Sequence, residues 1–197
     1  MEPLFLGGHP FVDFLNTSLT PEGEAIELIG DGKTFVEWLA TAGLLDQDTA
    51  AKMAARRWKA EADAVATEAR RVREWARKWL ERWRAEPDAP YGAELREVNR
   101  LLDGVKLHRQ VVRIGTNLEI AETQRVDVPE DLIGLIALQL STFIAEEQPS
   151  LLKSCAGHDC SLWFIDRTKA HRRIYCSAAA CGNRAKVSAF RARLSAR

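Results

Sequence analysis

Apolar side chains recur every three or four residues along most of this chain, the period that gathers them on one face of a helix. Phe35, Trp38 and Leu39 follow Asp31 and Thr34, either of which can cap a helix start, and Gly43 supplies the stop. From Asp46 to Glu86 there is no glycine or proline, and Ala, Arg, Glu and Lys dominate. Two helices are predicted there, with a break within 61–67. Val72, Trp75, Trp79 and Trp83 fall on one stripe between arginines, which reads as a face buried against a neighbouring helix or a second copy, with the charges in water. Pro87 and Pro90 break the pattern. Leu95, Val98, Leu101 and Leu102 then mark a helix closed by Gly104, and Pro129 opens one that is apolar nearly all round, from Leu132 to Phe143. The period of two occurs in Leu107–Ile114 and Asn117–Thr123, a hairpin about Gly115-Thr116. Phe11, Val12, Phe14 and Leu15 predict a short buried strand, and 24–29 a second one.

The chain changes character after Pro149. From Leu151 onward ten Lys and Arg face two acidic residues, whereas the first 150 residues hold eighteen basic and twenty-six acidic ones. The zero net charge hides a polar molecule with a basic tail. A chain of 197 residues suits one medium domain and a small one, and no apolar run approaches the ~20 residues of a membrane helix.

The tail also holds every cysteine. Cys155 and Cys160 are followed, after fifteen intervening residues, by Cys176 and Cys181 with the same gap. Two paired soft donors on short elements are the donor set of tetrahedral zinc, and these four are the predicted ligands of one structural Zn2+. Disulfides would need an oxidising compartment. The first residues lack the basic start and long apolar core of an export signal, so a reducing cytoplasm and a metal are expected. His158 could stand in for Cys160, but the symmetry of the pairs favours four sulfurs. Four thiolates around a dication leave the tail at about +6.

Between the pairs, Ser161–Asp166 and Arg172–Tyr175 are expected to form a hairpin. After Cys181 a helix is expected, with Val187, Phe190 and Leu194 packing on that hairpin and the metal. Lys186, Arg193 and Arg197 would flank the stripe on one side, and Arg184 and Arg191 on the other. The opposite face of Ala185, Ser188, Ala189, Ala192 and Ser195 would approach a polyanion while the basic rows reach phosphates. Arg172, Arg173, Arg184, Lys186, Arg191 and Arg193 are therefore the candidate nucleic-acid contacts.

Cys181-Gly182-Asn183-Arg184, followed by Ala185-Lys186 and preceded by Phe164, Asp166, Arg173 and Cys176-Ser177, resembles the CGNR zinc-finger family. Thr168, Ala170 and Tyr175 depart from its usual serine, asparagine and tryptophan, and none is a ligand. Gly7-Gly8-His9-Pro10-Phe11-Val12-Asp13-Phe14-Leu15-Asn16-Thr17 resembles the opening of the ABATE domain that commonly precedes it, where an Arg73-Glu74 pairing is also expected. The resemblance implies a bacterial, stress-linked transcription regulator whose zinc module meets DNA. Asp13, a carboxylate in an apolar run, together with His9 and Asn16, forms a candidate ligand-binding trio.

The predicted fold class is α+β, mostly helical. An ABATE-like domain over 1–150, with helices and a small antiparallel sheet, serves as sensor or dimerisation unit, and a treble-clef-like zinc module follows over 151–197. Expected partners are DNA, with RNA as the other polyanion the residues leave open, a small-molecule effector and a second copy of the chain. No catalytic residue is assigned. The competing reading is a small-molecule-binding protein or enzyme with a purely structural zinc module.

Overall fold

Every residue from Phe11 to Leu15 is buried, yet the segment is a helix and not the expected strand. In the computed structural model, which describes residues 5–20 and 24–195, helix α1 spans Pro10–Leu15. Pro10 takes the first helical position, where its missing N–H costs nothing, and the His9 side chain accepts the Phe11 N–H at the cap. Burial on all sides removes the amphipathic signature that separates a short helix from a strand.

Two two-residue strands follow, β1 (Ser18–Leu19) and β2 (Ile26–Glu27), paired antiparallel. Helix α2 (Gly32–Thr41) begins at Asp31, which forms a capping box with Thr34. Helix α3 (Gln47–Met53) is separated from α4 (Lys59–Ala85) by a 3-10 turn at Arg56–Trp58. The break thus lies before the predicted 61–67, which is continuous helix. Helix α5 (Gly92–Leu102) leads into β3 (Leu107–Ile114) and β4 (Asn117–Gln124), an eight-pair antiparallel hairpin. Helix α6 (Leu132–Glu146) buries Leu132, Ile136, Leu140 and Phe143 completely. No helix among the described residues is long and apolar enough to cross a membrane.

The tail contributes β5 (Leu152–Ser154) and β6 (Trp163–Ile165), which pair antiparallel, then a π-helical turn at Ala178–Gly182 that runs into α7 (Asn183–Ser195). The expected hairpin of 161–166 with 172–175 is therefore replaced. The strand beside β6 is the three-residue β5, which precedes the first cysteine.

The chain forms two compact units, each drawing on separated stretches. One comprises Asp31–Arg71 and Pro90–Thr142. The other comprises Met1–Gly30, Val72–Ala89 and Phe143–Arg197, so the start of the chain and the cysteine-bearing tail share one unit. Within it the ring of Phe143 meets those of Phe11, His9 and Trp83. Of the predicted tryptophan stripe, Val72 and Trp79 are buried, Trp79 against Trp75, while Trp75 and Trp83 are half-buried.

Candidate metal centre and basic helix

The four sulfurs of Cys155, Cys160, Cys176 and Cys181 all lie within 4.8 Å of one another. Sulfurs about 2.3 Å from a tetrahedral zinc sit roughly 3.8 Å apart. Cys160 to Cys176 measures 3.9 Å and Cys176 to Cys181 3.6 Å. Backbone N–H groups of Gly157 and Cys176 point at the Cys155 sulfur at 3.3 and 3.2 Å, and the Arg184 guanidinium donates to that of Cys181 at 3.3 Å. Gly157 leaves room beside the ligands, since a Cβ there would stand 3.1 Å from the Cys181 sulfur. His158 is 94 % exposed and paired with Asp159, away from the cluster.

Electrostatics point the same way. Burial first, then the neighbouring sulfurs, pushes the Cys160 thiol up to about 11 and the Cys176 thiol above its ordinary value. Burial also opposes ionisation of Cys181, but the Arg184 hydrogen bond and the other thiols outweigh it and lower that group. Four thiolates this close need a cation between them, and a dication held by four sulfurs has no open position.

The core around the cysteines is assembled from both ends of the chain. Cys155, Cys176 and Cys181 cluster with Leu162 and Phe164 but also with Leu19, and Leu6, Ile26 and Leu28 pack on the same group. Backbone and side chains continue the seam: Ile165 N–H donates to Gly7 O at 2.8 Å, and Thr20 N–H to Ser161 Oγ at 2.7 Å. Sequence reading missed this partnership. Its signal was the run Leu162–Ile165, apolar on both faces, which a small zinc hairpin cannot cover alone.

Asp166, fully buried, organises the turn between the cysteine pairs. It accepts from Lys153 Nζ at 2.6 Å, Thr168 Oγ1 at 2.6 Å, Thr168 N–H at 3.1 Å and Arg173 N–H at 2.9 Å. Desolvation works against the carboxylate, but these donors prevail and hold it well below the usual range. Thr168 thus keeps the hydroxyl role expected of serine there.

The predicted nucleic-acid contacts divide. Arg173 lies over the Phe164 ring at 4.3 Å and donates to the carbonyls of Tyr175 and Cys176, which ties it to the module's interior. Arg184 leans on a ligand sulfur. Arg172 and Lys186 line one groove beside α7, while Arg191 and Arg193 lie farther along the helix, Arg193 donating to Ala189 O at 3.2 Å. Arg197 and the side chain of Ser195 lie outside the described residues.

Helix α7 does not take the expected packing. Val187, Phe190 and Leu194 are 49, 58 and 56 % exposed, so they do not pack on hairpin or metal. Ala185, Ser188, Ala189 and Ala192 instead line the hollow facing Ala156–Asp159. The helix is fixed at its first turn through Cys181 and stands clear beyond Ala185.

His9, Asp13 and Asn16 come from one short helix and its two caps, but each serves neighbouring backbone. His9 caps α1. Asp13 Oδ1 accepts the Gly7 N–H at 2.7 Å, so close that a Cβ on Gly7 would meet that oxygen at 2.9 Å. Burial raises the Asp13 carboxyl to about 6 against the pull of the Gly7 and Leu6 N–H groups. Asn16 gives its NH2 to Trp163 O and takes the Trp163 N–H, both at 2.8 Å. The other side of Trp163 lies near the cations of Arg77 and Arg84, at 5.4 and 5.3 Å. Buried Arg73 bridges Thr17, Glu27 and Glu74, which includes the pairing the resemblance implied.

A mostly helical α+β chain with small antiparallel sheets, ending in a four-sulfur centre, is a zinc-finger protein with a helical N-terminal region. Residues 8–147 match the family model of ABATE, described as "Putative stress-induced transcription regulator", and the chain belongs to that family. Residues 152–194 match the CGNR zinc finger, and together with the cysteine cluster this supports one structural zinc ion. No curated protein matches the sequence.

Proposed function

We propose that this protein is a zinc-dependent, DNA-binding transcription regulator of a stress response, acting in the cytoplasm. The single observation that carries the reading is helix α7, which rises from ligand Cys181, exposes nearly its whole length and bears Arg184, Lys186, Arg191 and Arg193 without one acidic residue. A thirteen-residue helix has little stability of its own in water. Zinc fixes its base, and a polyanion completes its environment.

The face turned to DNA is the one that carries Val187 and Phe190. Lys186, Arg191 and Arg193, assisted by Arg172 across the groove, serve the phosphates, while Val187 and Phe190 suit thymine methyls and sugar edges. Arg173 and Arg184 act indirectly, the first by bracing Tyr175 and Cys176 and the second by easing the charge on Cys181.

The test is a titration of labelled duplex, single-stranded DNA and RNA with the zinc-loaded full chain at several salt concentrations. Duplex affinity is expected to fall steeply with salt, and Lys186→Glu with Arg191→Glu should lower it at least about tenfold while zinc content stays unchanged. Unaltered duplex binding by that double variant contradicts the reading, and a preference for RNA replaces its partner.

A further inference from the structure

Hairpin β3–β4 carries a face on which Leu107, Val111, Leu118 and Ile120 are left uncovered by the described residues, while Gln124 at its base donates to Asp131 O. Its register sets Val111 opposite Ile120, so Leu107, Arg109, Val111 and Arg113 share a face with Leu118, Ile120, Glu122 and Gln124. On that face Leu107 is 58 %, Val111 69 %, Leu118 66 % and Ile120 69 % exposed. A two-stranded ribbon is marginal in water by itself, and four large apolar side chains exposed side by side on it make a surface suited to a partner. Arg109 and Glu122 form an ion pair across the strands on the same face.

Charge decides what can cover it. Strand β3 is basic, with Arg109 and Arg113, and β4 is acidic, with Glu119 and Glu122. Joining two copies edge to edge about Val111 would oppose Arg109 to Arg113, and about Ile120 would set Glu122 opposite Leu118, so neither edge pairs opposite charges. Joining β3 of one copy to β4 of another by their edges matches charge but continues without closing. Stacking the two faces about a two-fold axis along the hairpin satisfies both demands. Strand β3 then lies on β4 of the second copy with levels preserved. Val111 meets Ile120 of the second copy, and Arg109 meets Glu122 of the second copy. Symmetry repeats both contacts.

We propose that the chain forms a homodimer by packing this hairpin face against the same face of a second copy. The contact is isologous and apolar at its centre, with a reciprocal ion pair beside the paired valine and isoleucine. It makes a two-layer sheet from two ribbons that each lack a second layer.

Sedimentation velocity of the zinc-loaded full chain tests this. The expected mass at micromolar concentration is twice 22.1 kDa. Val111→Glu, Arg109→Glu and Glu122→Arg should each return it to the single-chain mass with unchanged circular dichroism, since these side chains are exposed. An equimolar mixture of the Arg109→Glu and Glu122→Arg chains should dimerise again, because each then offers the other two opposite-charge contacts. A single-chain mass throughout, a dimer that survives Val111→Glu, a mixture that fails to re-form, or species that keep growing with concentration overturns the proposal.

Discussion

Asn16 grips Trp163 by both ends of its amide, donating to the carbonyl and accepting from the N–H at 2.8 Å each, across 147 residues of sequence. This is the pattern of a neighbouring strand, supplied by one side chain. It fastens helix α1 to the strand that ends in the buried Asp166 turn. Asn16→Ala leaves two buried backbone groups unpaired and should cost about 2–4 kcal/mol. In a chain this size the matching fall in Tm is roughly 5–15 °C. A calorimetric scan that shows no fall would mean the two segments hold together without this contact.

Asp13 gives a pH dependence of definite sign. Its folded value, about 6, lies above the ordinary 3.8. Its contribution is therefore fully present below about 3.8 and is lost as pH rises through 6. Asp13→Asn keeps an acceptor for the Gly7 N–H and removes the ionisation, so it should match the parent protein at pH near 4 and exceed its stability at pH above 7. Denaturant unfolding at the two pH values reads this directly, and a variant less stable at the higher pH would contradict it.

Asp166 behaves in the opposite way. Held below the usual carboxylate range by four donors, it stabilises the turn at neutral pH, and that contribution is lost as pH falls through its folded value. Asp166→Ala should leave one zinc per chain but loosen 166–173, which carries Arg172, and so weaken duplex binding several-fold. Equal binding by the variant would show that the turn does not position that arginine.

The tail should not fold by itself. Its metal cluster is completed by Leu6, Leu19, Ile26 and Leu28, and β6 takes hydrogen bonds to Gly7 and Asn16. A peptide of 152–197 saturated with zinc should keep poor amide dispersion in an NMR spectrum, and a well-dispersed spectrum would contradict the shared core.

Much of this was legible from sequence. The cysteine spacing, the Asp31 cap and the β3–β4 hairpin each rest on a local rule, and the structure keeps them, as it does the tryptophan stripe at Trp79. What was misread depends on tertiary context. In Phe11–Leu15 complete burial erased the period, although His9 and Pro10 did carry helix-start signals. The turn at Arg56–Trp58 sits among helix formers without glycine or proline, so composition was silent. Strand β5 is three residues long and reads as a linker. The stripe on α7 was visible, but periodicity says only that a face exists. Whether protein or solvent meets it is decided by what packs nearby, here none of the described residues beyond Ala185.

Everything proposed for DNA depends on the four sulfurs giving α7 a fixed base. The most direct measurement is duplex affinity of the full chain before zinc removal, after it, and after zinc is restored, at constant salt. Affinity should fall at least about tenfold on stripping and return with one equivalent of zinc, since the helix is marginal without its anchor. Stripped protein that binds duplex as tightly as the loaded form would show that the metal does not aim the helix.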